Sequence, residues 1–196
     1  MKLFQGGQTM NPSTEDILNA ADKINADTIF VLPNNSNIIL ASNQAASIIE
    51  DKKLIVIPTK TIPQGITAMI NFELTRSADE NEKAMLESLS TVKSGQLTYA
   101  VRDTSIDGKE IKKDNYLGLG DNGLASVGTD MDDTLIDMLS EFVDDESELI
   151  SVYYGEDIDE NKAEELVYKI EEKFDGVDVE LQYGGQPVYY YIVSVE

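Results

Sequence analysis

Early in the chain, apolar residues fall twice into helical spacing, and a short unbroken apolar run follows each time. Ile17, Ala20, Ala21 and Ile24 stand at i, i+3, i+4 and i+7, and Thr28 to Leu32 then reads TIFVL, the composition of a strand buried on both faces. Ile38, Ala41, Ala45 and Ile48 repeat the helical spacing up to the charged EDKK, and Leu54 to Pro58 (LIVIP) is a second such strand. Strand, helix and strand of these lengths form a parallel crossover unit. Ala68, Met69 and Phe72 predict another helix after Pro63, and Met85, Leu89 and Val92 predict one more, with Gly95 as its stop.

The period then changes. Leu97, Tyr99 and Val101 alternate with Gln96, Thr98 and Arg102, and Asp107-Gly108 and the DNG at 121 to 123 read as hairpin turns between short antiparallel strands. Met131, Leu135, Met138, Leu139 and Phe142 share a helix face, capped by Thr129 or Asp130. A strand over Leu149 to Tyr154, a helix through Ala163, Leu166, Val167, Ile170 and Phe174, a strand from Val177 to Tyr183, a GGQP turn and a strand from Tyr189 to Val195 follow. The fold class expected is α/β plus α+β: a parallel first half over 1–93 and a mixed, largely antiparallel second half over 94–196, packed on each other without a linker.

Composition narrows the chemistry. At 196 residues and 41% hydrophobic the chain can bury a core as one domain or two compact halves. It has no cysteine and no histidine, so disulfides, thiolate metal sites, Cys nucleophiles and the commonest general base are missing. The N-terminal MKLFQGGQTMN has no apolar core of a signal peptide and no window approaches a membrane span, so a cytoplasmic protein without membrane insertion is expected. A net charge of −22 argues against nucleic acid and anionic membrane surfaces, and makes a basic protein the natural partner. From Glu141 to Glu160 nine carboxylates occur with no Lys or Arg, either as a solvated acidic face or as a docking face for a positive partner.

Several motifs invite a chemical reading. Gly118, Gly120 and Gly123 match the glycine spacing of a dinucleotide site, yet no helix follows them, and a hairpin turn accounts for them. Asp103, Ser105, Asp107, Gly108 and Asp114 resemble a calcium loop, but strands rather than helices flank it. No P-loop is present, and no Ser or Thr has a His partner, so no catalytic, cofactor-binding or metal-ligating residue is assigned. Two polar elbows are better placed: Asn34, Asn35, Ser36 and Asn37 follow one buried strand, and Thr59, Lys60, Thr61 and Gln64 follow the next. In a parallel sheet both lie at the carboxyl edge, where open α/β sheets bind ligands. Ser36 or Asn37 caps the next helix, whose free N–H groups attract anions, and Lys60 adds charge; capping alone also explains Ser36. Ser13 with Asp16 is a capping signal, and Gly6-Gly7 reads as a hinge. Tyr189, Tyr190 and Tyr191, adjacent in a strand, must point to both faces, so at least one ring lies near the surface, as edge or as interface.

Taken in order, GGQTMNPSTEDIL, VLPNNSNIILA, VIPTKTIPQGI, GQLTYAVRDTSIDGKEIKKDNYLG, ELISVYYGEDI and VELQYGGQPVYYYIVSVE resemble the C-terminal domain of the bacterial fatty acid kinase catalytic subunit family. The resemblance covers essentially the whole chain. It implies a DegV-like carrier fold and an enzyme that phosphorylates a fatty acid held by a separate binding subunit, giving an acyl phosphate for phospholipid synthesis. It also implies that the dihydroxyacetone-kinase-like domain that binds ATP and Mg, and a middle domain with Cys and His, have no counterpart in this chain. Such a piece transfers no phosphate alone and holds no cofactor. Its implied partners are the enzyme's own N-terminal kinase and middle domains, together with the fatty-acid-binding carrier subunit. The Asp-Ser loop with which DegV-like carriers hold the acyl carboxylate is replaced by PNNSN, which keeps Ser36, and Tyr189, Tyr190 and Tyr191 align where a tunnel mouth would be. The expectation is a docking module that uses the elbows or an acidic and aromatic face of Asp144, Asp145, Glu146, Glu148 and the three tyrosines. Its rival is direct binding of fatty acid or a small anion at the elbow edge.

Overall fold

The computed structural model describes residues 11–106 and 108–196, and the chain divides into two compact units, Met1–Thr91 and Val92–Glu196. In the first unit, α1 (Thr14–Asp22), β1 (Thr28–Val31), α2 (Ser36–Ile48), β2 (Lys53–Val56), α3 (Ile62–Ile70) and α4 (Ala78–Ser88) follow in order. The strands pair in parallel, Ile29 beside Leu54 and Phe30 beside Ile55, and their side chains alternate between two helical layers. Ile29 and Leu54 pack with Ala21 and Ala45 of α1 and α2, while Ile55 and Ile57 pack with Ala68 and Met85 of α3 and α4. Phe30 meets Phe72 edge to face at 5.6 Å between ring centroids. Ser13 opens α1 and Ser77 opens α4, each in a reciprocal capping box with the carboxylate three residues on.

The second unit is a six-stranded sheet in the order β7-β6-β3-β10-β8-β9, with two helices and a separate hairpin. Its strands are β3 (Lys93–Tyr99), the hairpin β4 (Thr104–Ile106) and β5 (Lys109–Ile111), β6 (Tyr116–Gly120), β7 (Gly123–Gly128), β8 (Leu149–Tyr154), β9 (Asp178–Tyr183) and β10 (Tyr191–Val195). Helices α5 (Met131–Ser140) and α6 (Glu160–Lys173) carry Leu135, Met138, Leu139, Ala163, Leu166 and Ile170 into one core with Leu97, Ile150, Val152, Tyr191, Val193 and Val195. Each fully buried large aliphatic residue there contributes about 1.5–3 kcal/mol. Only β8 and β9 run parallel, joined through α6; every other pair in the sheet is antiparallel.

Several expectations need correction. Helix α4 ends at Ser88, and Gly95 is not its stop but a strand residue of β3. A Cβ on Gly95 would lie 2.7 Å from Met138 Sδ and 2.8 Å from Phe142 Cε2, so the glycine lets α5 approach the sheet. The C-terminal strand starts at Tyr191 instead of Tyr189, because Val188 at φ 71 breaks the extended backbone before it. Val101 lies beyond the end of β3 and is exposed. The calcium-like segment is the β4–β5 hairpin, and Asp103 accepts a hydrogen bond from Lys113 N at 2.7 Å. The Gly118–Gly123 segment is the β6–β7 hairpin. Asp107 and the Gly6-Gly7 pair lie outside the described residues.

Candidate functional site

The two elbows meet at the carboxyl edge of the first unit's parallel pair, and they hold each other. Past β2 the ladder continues for one more bond, Ile57 N to Val31 O at 3.0 Å, which brings Asn34 opposite Thr59. Asn34 has φ 53, a left-handed conformation that asparagine tolerates better than other residues with a Cβ. That turn aims both its N–H and its side chain at Thr59: Asn34 N donates to Thr59 Oγ1 at 2.9 Å, and Thr59 Oγ1 donates to Asn34 Oδ1 at 2.8 Å. Thr59 is fully buried. The Asn34 amide lies over Gly65 in the first turns of α3, where a Cβ would overlap Oδ1 and lie 2.8 Å from Cγ. The sequence reading missed Gly65; its signal is a glycine inside a predicted helix, which marks a close approach.

The remaining elbow residues serve the helix starts. Asn35, not Ser36 or Asn37, is the N-cap of α2, and its Oδ1 accepts from Asn37 N at 2.9 Å. Thr61 caps α3, accepting from Gln64 N at 3.4 Å, and the buried Gln64 turns its Oε1 back to Lys60 N at 2.8 Å. Ser36, Asn37 and Lys60 are exposed. A carboxylate or phosphate approaching this edge meets a helix donor already taken by Asn35 and a cleft filled by the Asn34 amide. The best-formed depression among the described residues lies elsewhere, about 260 Å³ on α4 between Arg76, Glu80, Lys83, Ala84 and Glu87, with charged walls unsuited to an acyl chain.

The acidic and aromatic residues expected to form one face lie at opposite ends of β8. Asp144, Asp145, Glu146 and Glu148 precede its first residue, Leu149, whereas Tyr190 O accepts from Gly155 N at 2.8 Å beyond its last. Six residues of strand separate the two ends, about 20 Å. Asp144 is engaged locally: Lys93 Nζ pairs with it, Ser147 Oγ donates at 3.0 Å and Glu146 N at 3.1 Å, and together these hold its carboxyl below the usual range, Lys93 having the largest effect. Asp145, Glu146 and Glu148 are exposed. Tyr191 cannot belong to a surface face, since it is 1% exposed and burial raises its phenol pKa; Tyr189 and Tyr190 are half-buried. Charge is concentrated in this unit, where 26 acidic against eight basic residues give −18 of the net −22.

Among the described residues no group of three or more Asp and Glu side chains is arranged to hold a metal ion, so nothing here fits the Mg of a kinase centre. No helix among them is long and apolar enough to cross a membrane.

Comparison with known proteins sets this geometry in context. Protein YloV of Bacillus subtilis is 46% identical over 194 residues, covering 99% of this chain and 35% of the relative, so the chain spans about a third of that protein's length. Among solved structures, the DegV family protein Cg2579 of Corynebacterium glutamicum matches with a TM-score of 0.70 at 12% identity, over 100% of this chain and 86% of that one. The Streptococcus pneumoniae fatty acid kinase (Fak) B3 protein, solved loaded with linoleic acid, matches with a TM-score of 0.64 at 14% identity, over 94% and 76% of the two chains. At such identities the likeness is one of fold, and the fold is DegV-like. The FakA-like C-terminal family, that of the C-terminal region of fatty acid kinases, matches residues 2–196, and the chain belongs to that family.

Proposed function

We propose that this chain is the docking domain of a fatty acid kinase. It brings a fatty-acid-loaded carrier subunit to a kinase domain elsewhere in the enzyme, where ATP and Mg act and the acyl carboxylate is phosphorylated; the chain itself transfers no phosphate and binds no lipid. The observation that carries this reading is the closed carboxyl edge. Fak B3 shows that the fold can hold a fatty acid, and here the edge where open α/β sheets bind ligands is filled by the Asn34–Thr59 pair over Gly65. The family membership, the length of the relatives beyond this chain and the concentrated negative charge support recruitment in place of catalysis.

Calorimetric titration of the chain with the fatty-acid-loaded carrier, at low and at physiological salt, tests it. Saturable binding that weakens with salt is expected, since exposed charge pairs are screened over about 8 Å at physiological ionic strength. No binding at either salt overturns the proposal. So does stabilisation by palmitate alone, which at a hundredfold excess over its dissociation constant would amount to a few kcal/mol.

A further inference from the structure

Eight of the nine tyrosines, all but Tyr168, gather at one end of the six-stranded sheet. Tyr99 ends β3 opposite Tyr116, which begins β6; Tyr191 begins β10 opposite Tyr154, which ends β8; and Tyr154 faces Tyr183, which ends β9. Five adjacent strands therefore terminate in tyrosine at the same edge. Tyr190 joins the row, its ring 5.9 Å from Tyr99 and 5.8 Å from Tyr116, while Tyr154 and Tyr183 are 5.2 Å apart. A tyrosine ring usually reaches such an edge to be covered, yet Tyr99 is 41% and Tyr183 65% exposed, with Val101 at 70% and Val188 at 47% beside them.

The segment from Gly184 to Tyr190 is strapped across this end. Gly184 N and Gly185 N donate to Tyr154 O at 2.9 and 3.2 Å, Gln186 Nε2 to Tyr153 O at 2.8 Å, Tyr190 N to Leu97 O at 2.9 Å, and Thr98 Oγ1 to Val188 O at 3.2 Å. A Cβ on Gly155 would lie 2.5 Å from Tyr189 O, so that glycine is what lets the strap cross β8. Val188 is held at φ 71, a left-handed conformation unfavourable for a β-branched residue, and its side chain stands exposed. A strained, well-anchored backbone presenting an apolar residue among partly exposed rings is pre-organised for contact. The strap carries no charge of its own, but Glu156 and Asp157 follow β8 directly, and with Asp159 and Glu160 they put four carboxylates and no base between Gly155 and Asn161. Asp157 and Asp114 act on the Tyr190 phenol, and Glu160 and Asp159 on that of Tyr154. Arg102, Lys112 and Lys113 lie on the other flank, after β3 and before β6.

The geometry points to this tyrosine edge as a docking surface for a protein segment that presents arginine or lysine side chains. Aromatic faces attract such cations, the carboxylates after β8 complement them, and tyrosine with arginine is the pairing that dominates interface hot spots. Given the docking function proposed above, on which this inference rests, the segment belongs to the fatty-acid-loaded carrier, and its contact is this edge, not the acidic segment before β8.

The test is titration of the loaded carrier against the chain and three double variants. Tyr99→Ala with Tyr183→Ala removes exposed rings and is expected to weaken binding at least about tenfold. Glu156→Gln with Asp157→Asn, on an exposed loop where folding is not at stake, is expected to flatten the dependence of log Kd on log salt. Asp145→Asn with Glu146→Gln, at the opposite end of β8, is expected to leave Kd within about twofold. If the wild-type chain binds and the tyrosine variant binds equally well, or the Asp145 and Glu146 variant loses as much, the inference is overturned while the docking function stands. If the wild-type chain does not bind at all, both fall.

Discussion

The closed edge makes a quantitative prediction about two residues in different elements. Thr59→Val keeps the shape of a fully buried side chain but deletes the hydroxyl that accepts from Asn34 N at 2.9 Å and donates to Asn34 Oδ1 at 2.8 Å. Two hydrogen bonds at about 1 kcal/mol each are lost, Asn34 is only half-buried so that water rescues part of it, and the new methyl returns some burial; a net loss of about 1.5 kcal/mol follows. For a small unit that lowers Tm by about 5–10 °C. Gly65→Ala pushes the Asn34 amide off Thr59, at a cost of about 1 kcal/mol, and gains about 1 kcal/mol of helix propensity, so it is nearly neutral in the wild-type chain. In the Thr59→Val background the bond is already gone and only the gain survives. The two substitutions should therefore couple by about 1 kcal/mol, read from urea denaturation by circular dichroism of the wild type, both singles and the double. Additivity within about 0.3 kcal/mol, or a Thr59→Val loss below about 0.5 kcal/mol, would refute the view that the two elbows lock each other.

Other parts of the fold are testable in the same way. Gly95→Ala places a methyl against Met138 and Phe142 and should cost about 1–3 kcal/mol by overpacking, with a lower denaturation midpoint and an unchanged m-value. Asp144 has a pKa depressed below 3.8, so its contribution to stability is present above that value and is lost as pH falls through the lower folded-state value. Asp144→Asn should accordingly lower the urea midpoint at pH 7 and leave it unchanged near pH 2; an equal drop at both would mean that the carboxylate charge is not what Lys93 reads.

What could be read from the chain was whatever its local pattern determines. Leu149 to Tyr154 was legible to the residue because an apolar run lies between Glu148 and Gly155. The end of α4 was not, since Leu89 and Val92 continue the helical spacing of Met85 although Val92 already leads into β3. Gly95 looked like a stop because the reason for it, the approach of Met138 and Phe142, comes from far along the chain. Four polar residues in a row offered four possible caps for α2, and it is the tertiary pairing of Asn34 with Thr59 that leaves the role to Asn35. The acidic segment and the tyrosines looked like one face because strand direction, which sets them at opposite ends of β8, is not visible in composition. The family resemblance named the fold, but it could not show that the edge is shut.

The lopsided charge has a kinetic side. With −18 of the −22 on Val92–Glu196, a basic molecule diffusing nearby is drawn toward that unit well before any side chains touch. Such long-range capture shortens the search for the correct orientation, so the charges belong mainly to the association rate, and salt should slow arrival far more than it hastens departure. A partner recruited in this way arrives quickly and still leaves readily, which suits a molecule that must be exchanged after every turnover.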